Sequence, residues 1–159
     1  MSDPVRGDVS EVDDGPEYDL NFREHPERYR HTSDERGAFK ISPYKSELLP
    51  DWTISDLRPA AEAARTIHDR YREYREAGDF VGMDVAQKYL QMGWTRSMRY
   101  AKYPGGQKYV DGREREPEVW YDPEKRRIAR VYRFHLDRVR GDDAYERAKA
   151  RHRERYGED

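Results

Sequence analysis

The feature that most constrains the fold of this chain is its shortage of aliphatic side chains. Leu, Ile, Val and Phe together number 23 of 159 residues, while charged residues make up 40% of the chain. Such a composition is typical of disordered chains, because little apolar surface is available to offset the entropy lost on ordering. The chain also carries 20 aromatic residues, of which 13 are Tyr. Since each aromatic side chain buries roughly 150 to 250 Å², we predict one globular domain with an aromatic-rich core.

The net charge of −2 hides two segments of opposite sign. Residues 1–16 contain five acidic residues, one arginine and few apolar residues, so we predict a disordered acidic tail there and a single globular domain over residues 17–159. The tail would aid solubility or cover a basic patch elsewhere. Residues 85–110 show the opposite departure, because they hold five basic residues and no acidic residue.

The spacing of apolar residues predicts a helical hairpin. From Pro59 to Glu76 these residues recur every three or four positions, which places them on one helical face: Ala60, Ala64, Ile67, Tyr71 and Tyr74. Gly78 is suited to end this helix, and Asp79 is suited to cap the next one. The second helix should run from Phe80 to Ala101, and the short connection between the two favours a hairpin.

Further signals complete the predicted fold. Residues 122–140 begin with an Asp-Pro cap and predict a third helix, and residues 142–156 predict a fourth. Nearer the N-terminus, alternating polar and apolar residues over 18–22 and 38–42 predict two short strands, with one helical turn at Pro26 between them. The predicted fold class is therefore mainly α (α+β), a helical hairpin plus two C-terminal helices with a small N-terminal strand-containing layer.

The basic segment 85–110 suggests a binding function. Clustered positive charge without acidic residues attracts polyanions, so we predict that phosphate groups contact Lys88, Arg96, Arg99, Lys102 and Lys108. Aromatic residues between the basic ones suit stacking on bases, a role that we assign to Tyr103 and Tyr109. Trp94 lies on the predicted apolar face and is expected in the core. The leading hypothesis is a non-enzymatic module that binds nucleic acid or another polyanion.

Two neighbouring features bear on this surface. Gly105 and Gly106 predict either an ordinary hairpin turn, which is favoured, or a loop whose amides face an anion. The third helix carries seven basic residues between Lys125 and Arg140, and one of its faces holds Arg126, Arg130, Arg133 and Arg140. A solvated amphipathic helix is the favoured interpretation of that pattern, and a second strip of the same basic surface is the alternative.

Catalytic and metal-binding signatures are absent from the sequence. Without cysteine the chain has no thiol nucleophile and no thiolate zinc ligand, and its five histidines form no metal-binding pair, so we expect no metal and no cofactor. His135 is expected to pack in the core. The chain also lacks a long apolar run, so no membrane partner is expected.

An enzyme acting on a phosphorylated or nucleotide substrate is the alternative function. It requires four residues to converge on a pocket, where they would do acid–base or nucleophilic work: Lys45, Glu47, Asp79 and Asp84. The simpler interpretation is that Lys45 pairs with Glu47 at the surface while Asp79 only caps a helix. A protein-interaction domain is a third possibility.

Several longer motifs stand out along the chain: PYKSELLP (43–50), GDFVGMD (78–84), QMGWTRS (91–97), RYA (99–101) and GGQKY (105–109). In this order they resemble the domain-of-unknown-function 4385 family, over roughly the whole chain after the acidic tail. The resemblance implies a cytoplasmic protein without an assigned activity. Its motifs overlap the basic segment, which is therefore where we expect the functional residues.

Overall fold

Helices form most of the protein. The computed structural model describes residues 20–32, 35, 37–116 and 121–157. Its α-helices are α1 (Tyr44–Leu48), α2 (Leu57–Ala77), α3 (Phe80–Lys102), α4 (Pro123–Arg140) and α5 (Asp143–Tyr156). The predicted mainly helical class is confirmed, as are the hairpin of α2 and α3 and the two C-terminal helices.

Local capping explains where these helices begin and end. Gly78 ends α2 with a left-handed φ of 71°, a conformation that glycine adopts without steric cost. The carboxylate of Asp79 then accepts a hydrogen bond from the amide of Gly82 at 3.1 Å, which satisfies a free donor in the first turn of α3. Asp122 and Asp142 cap α4 and α5 in the same way. The caps predicted at Asp79 and Asp122 are confirmed.

The central helix of the domain is α3, which packs against α2, α4 and α5. Every residue from 80 to 90 is buried, so this half of the helix is covered on all sides. The largest fully buried side chains around it include four tyrosines: Tyr44, Tyr71, Tyr89 and Tyr132. The predicted aromatic-rich core is therefore present, with tyrosine as a main component.

The predicted N-terminal strand layer is wrong. Residues 38–40 form a 3₁₀ helix and residues 20–22 form a bend and the start of a turn, while residues 18 and 19 lie outside the described part of the chain. The helical turn predicted at Pro26 is confirmed as a 3₁₀ helix over Pro26–Arg28. Instead of pairing as a strand, this region packs its apolar side chains onto the helices, and the ring of Phe39 lies 4.8 Å from that of Tyr89.

The strands that the structure describes follow α3. β1 (Tyr109–Val110) pairs antiparallel with β2 (Arg113–Glu114), and the turn between them has positive φ at Asp111 and Gly112, as in a type I′ hairpin. Gly105 and Gly106 precede this hairpin and belong to a 3₁₀ turn. The amides of Gly106 and Gln107 donate to carbonyls of the chain itself, at 2.8 and 3.2 Å. The Gly pair is therefore not the hairpin turn, and these two amides do not face an outside anion.

Two further sequence predictions concern the acidic N-terminal residues and the absence of a membrane-spanning segment. The acidic tail predicted at residues 1–16 lies outside the described residues. Of the helices in the described ranges, none has both the length and the apolar character needed to cross a bilayer.

Candidate nucleic-acid interface

Two of the basic residues of segment 85–110 contact the N-terminal region of the chain. Lys88 is 5% exposed, and its ammonium group donates to the hydroxyl of Thr32 at 3.0 Å. Arg96 is exposed, and its guanidinium lies 5.1 Å from the centroid of the Phe39 ring and 5.9 Å from that of Trp52. Partial desolvation beside these rings lowers the pKa of Arg96. Both side chains contact the N-terminal region. Lys88 is buried and so is not placed for the predicted phosphate contact, whereas Arg96 remains exposed.

The other predicted contacts lie near the C-terminal end of α3 and on the hairpin. Arg99 is exposed, and Lys102 and Lys108 are partly exposed. Lys108 lies 3.9 Å from the carboxylate of Glu114 and 5.8 Å from the ring centroid of Tyr109, which is 59% exposed.

Tyr103 behaves differently from Tyr109. It is only 8% exposed, so its ring is not available for the stacking predicted from the sequence. Its burial follows from its position at the end of α3, where the amide of Tyr103 donates to the carbonyl of Arg99 and the chain folds back over the helix end.

A groove between α3 and α4 brings arginines and aromatic rings together. Its volume is about 390 Å³, and its lining is Trp94, Met98, Arg126, Ala129, Arg130, Arg133, Phe134 and Asp137. The three arginines are spaced four and three residues apart and so lie on one face of α4, whereas the α3 residues Trp94 and Met98 are one turn apart. With three arginines and one aspartate, the lining carries a formal charge of +2.

The side chains of this groove place guanidinium groups beside aromatic rings. The guanidinium of Arg133 lies 4.4 Å from the ring centroid of Trp94, and its Nε donates to Asp137 at 2.8 Å. Arg130 is exposed, and Phe134 is 56% exposed. Guanidinium groups donate to phosphate in a planar, two-pronged geometry, and exposed rings stack on bases.

Sequence reasoning identified part of this groove. The arginine face of α4 follows from helical spacing, although the favoured interpretation was a solvated helix. Trp94 was predicted in the core, and it packs against the core while also lining the groove. The exposed Phe134 was missed, because a single apolar residue on a polar face of a helix gives no signal in the sequence.

The four residues of the alternative enzyme do not converge on one pocket. Glu47 and Asp79 meet through Arg23, which donates to both oxygens of Glu47 at 2.8 and 2.9 Å and to Asp79 at 3.2 Å. The hydroxyls of Tyr74 and Tyr44 also donate to Glu47 and Asp79, both at 2.7 Å. The hydrogen bonds from Arg23 lower the pKa of Glu47, so it is an ion-pair partner rather than a proton acceptor.

Asp84 is itself fully buried and lies in a separate network. Its carboxylate accepts hydrogen bonds from the hydroxyls of Tyr29 and Tyr145, at 2.5 and 2.6 Å, and contacts Nδ1 of His31 at 2.9 Å. Burial alone would raise the pKa of Asp84, but these hydrogen bonds hold it below its ordinary value. In the part of the chain that the structure describes, Lys45 has no hydrogen bond or ion pair with these carboxylates. The structure therefore brings Glu47 and Asp79 together through Arg23 and places Asp84 in a different network.

A pair of histidines links α2 to α4. Nδ1 of His68 lies 2.8 Å from Nδ1 of His135, and the two rings are nearly perpendicular. Burial, together with the charge of Arg72, lowers the pKa of His68 to about 4 and also lowers that of His135. His135 was predicted as a packed core residue, but it is only partly buried, and its partner lies too far away in the sequence to be predicted. Across the described ranges, no three His, Cys, Asp or Glu side chains cluster in a way that would hold a metal ion.

Acidification is expected to destabilise the protein through His68. The folded-state pKa of about 4 lies below the ordinary value of 6.5, so between these values the unfolded chain binds more protons than the folded one. Stability therefore falls as the pH drops through this range. Because His68 is only 5% exposed, we expect a loss of about 2 to 3 kcal/mol. Urea unfolding at several pH values measures it.

The variant His68→Gln supplies the control for this pH dependence. Glutamine does not titrate, so the variant should lose stability less steeply than the natural chain between pH 6.5 and pH 4. An unchanged slope would show that His68 does not cause the effect.

Comparison with known proteins gives a family but no function. A family model described as "Domain of unknown function (DUF4385)" matches residues 13–155, which is nearly the whole chain. No curated protein and no solved structure gives a significant match. The function therefore has to be inferred from the residues and their geometry.

Proposed function

The chain belongs to the DUF4385 family, which has no known function, and we propose that it is a non-enzymatic module that binds single-stranded nucleic acid in the groove between α3 and α4. The observation that carries this proposal is the row of Arg126, Arg130 and Arg133 facing Trp94, with the exposed ring of Phe134 beside it. Arginines neutralise the phosphates of a polyanion while aromatic rings stack on its bases.

The dimensions of the groove favour a single strand over a duplex. At about 390 Å³ it has room for a few phosphate and base groups. An aromatic side chain stacks only on bases that are not already stacked and paired, which is the condition of a single strand. Arg133 is held by Trp94 and Asp137, so its Nη groups are oriented before a phosphate arrives.

Residues outside the groove extend this proposal. Arg99, Lys102, Lys108 and Tyr109 would contact the strand beyond the end of the groove, since the amide of Asp122 at the start of α4 donates to the carbonyl of Ala101 near the end of α3. A cytoplasmic location, which the family resemblance implies, belongs to the same proposal. Cell fractionation would test the location.

The variant Arg130→Gln is expected to weaken binding to short single-stranded RNA and DNA by about five- to tenfold. The side chain is exposed, so the substitution removes a phosphate contact with little effect on the fold. The variant should also bind with a shallower dependence of log affinity on log salt, by about one unit of slope. Fluorescence anisotropy of labelled oligonucleotides at several salt concentrations measures both quantities.

The matched control is Arg58→Gln, which removes the same charge from an exposed position on α2, outside the lining of the groove. It should leave the affinity within about twofold. Equal weakening by the two variants would assign binding to overall charge rather than to the groove. Failure of the natural chain to bind either oligonucleotide at low salt would overturn the proposed function.

A further inference from the structure

A second basic cavity lies between α2 and α4 and shares no lining residue with the groove. Its volume is about 350 Å³, and its lining is His68, Tyr71, Arg72, Arg75, Arg138, Gly141 and Asp142. Three arginines and one aspartate give this lining a formal charge of +2. The proposed nucleic-acid function makes no use of it.

The acidic groups near this cavity already have partners. Asp142 accepts hydrogen bonds from Tyr71 at 2.7 Å and from Arg75 at 2.8 Å. Asp69 accepts one from Arg72 at 2.7 Å. The guanidinium of Arg138 has no carboxylate partner among the described residues, and it lies 5.4 Å from the ring centroid of Phe134. The cavity therefore combines excess positive charge with guanidinium groups at its wall.

The histidine pair places the imidazole of His68 in the wall of this cavity. Only one of two Nδ1 atoms that share a hydrogen bond can carry the proton. When His135 supplies that proton, the neutral ring of His68 carries its own proton on Nε2. When His68 is protonated, it donates from Nδ1 to His135 and still carries a proton on Nε2. In these two states His68, a residue of the cavity wall, has an Nε2–H group that can donate to an oxyanion, whereas a neutral His68 that donates from Nδ1 has none.

We propose that this cavity binds a phosphate group, with Arg72, Arg75 and Arg138 donating to its oxygens and His68 Nε2 supplying a further hydrogen bond. The volume exceeds that of a phosphate ion and leaves room for the organic part of a phosphate monoester. Such a monoester comes either from the end of an oligonucleotide or from a small phosphorylated metabolite. This inference does not depend on nucleic-acid binding in the groove.

The charges around the histidine pair support this inference. The groups that face it are Arg65, Asp69 and Arg72 on α2, Arg138 on α4, and Arg75 and Asp142 at the cavity wall. Burial, Arg72 and Arg138 lower the pKa of His68 to about 4, so the field at the ring is positive. A bound dianion would offset that field and raise the pKa of His68. By thermodynamic linkage, protonation of His68 would tighten anion binding by the same factor by which the bound anion strengthens proton binding to His68.

Nuclear magnetic resonance of the imidazole groups tests this site with inorganic phosphate and with sulfate. Phosphate at neutral pH should shift the resonances of His68 and raise the melting temperature of the full chain. Sulfate does not titrate in the relevant pH range, so it reports on the histidine alone. Saturating sulfate should raise the pKa of His68 by about one unit or more, which corresponds to about tenfold tighter binding by the protonated form. Resonances of His68 that do not respond to either anion would overturn the proposal.

Three substitutions distinguish a specific phosphate site from general attraction of anions to a basic surface. Arg138→Gln should weaken phosphate binding at least fivefold, and Arg72→Gln should do the same without touching Phe134. Arg147→Gln, at an exposed position of α5 outside the cavity, should leave phosphate affinity unchanged. Equal weakening by all three would contradict the site. Circular dichroism of each variant confirms that a loss of binding is not a loss of fold.

Oligonucleotides with and without a 5′-phosphate distinguish the two sources of the monoester. If Arg72→Gln weakens binding only of the phosphorylated strand, the site takes a strand end. If inorganic phosphate binds but the 5′-phosphate adds no affinity, the site takes a small metabolite. Either result supports the phosphate site, whereas binding of neither probe overturns it. Arg130→Gln tests the groove, and Arg72→Gln tests the phosphate cavity. Either proposal can therefore fail while the other is still tested.

Discussion

Replacing Asp84 with alanine is expected to lower the free energy of unfolding by about 3 to 5 kcal/mol. The side chain is fully buried in α3, where Tyr29, Tyr145 and His31 all lie within hydrogen-bond distance of its oxygens. Removing the carboxylate would leave these polar groups without their partner, and each such buried group costs about 1 to 3 kcal/mol. Urea denaturation of the full chain near neutral pH measures the change.

Asp137→Ala is the matched control for this substitution. Asp137 also pairs with a basic residue, but it lies on the exposed face of α4, where an ion pair contributes about 0.5 kcal/mol or less. Asp84→Asn adds a second test, since it keeps the shape but offers fewer acceptors to the tyrosine hydroxyls and should also be strongly destabilising. Similar small losses at positions 84 and 137 would show that the buried network does not stabilise the fold.

The Asp84 network explains how a chain with few aliphatic residues holds its parts together. Tyr29 comes from the N-terminal region and Tyr145 from α5, and both donate to the same carboxylate of α3. The ring of His152 on α5 also lies 2.8 Å from the carbonyl of Tyr29. Tyrosine adds aromatic area to the core and a hydroxyl to this network, so burial and hydrogen bonding fix the same segments.

The helices could be predicted because their signals are local. The caps at Asp79, Asp122 and Asp142 act on amides two or three residues away, and the apolar spacing of α2 needs no knowledge of the rest of the fold. The strand predicted at 38–42 failed for the opposite reason. Alternation of polar and apolar residues over five positions is as common in irregular segments as in strands. The position of Phe39 is set by contacts with Trp52 and with Tyr89 of α3, both distant from it in the sequence.

The candidate site could be predicted only in part because its geometry depends on long-range contacts. The absence of acidic residues from 85–110 is plain in the sequence. The sequence does not show that the first half of α3 is covered on every side, so the burial of Lys88 was missed. The arginine face of α4 followed from spacing within one helix. The contact of His68 with His135 joins two helices and has no local signal.

Gly93→Ala is expected to destabilise the protein by about 3 kcal/mol, because Tyr132 of α4 packs directly against α3 at this glycine. An added Cβ would lie 2.2 Å from Cδ1 of Tyr132, well inside van der Waals contact. The Tyr132 ring is fully buried, and its hydroxyl donates to the carbonyl of Thr53 at 2.8 Å, so it cannot move aside cheaply. Either α4 shifts away from α3 or the ring leaves the core. Denaturant unfolding measures the loss.

Gly141→Ala provides the control, since its added Cβ would lie 3.2 Å from one backbone oxygen and its φ of −87° suits any residue. We expect that variant to change stability by less than about 1 kcal/mol. Shortening Tyr132 to valine removes the ring that the new Cβ would strike, so the two substitutions should couple. The double variant should be more stable than the sum of the single losses predicts, by about 1 kcal/mol or more. Strict additivity would mean that the close approach of Gly93 to Tyr132 does not set the spacing of α3 and α4, on which the groove depends.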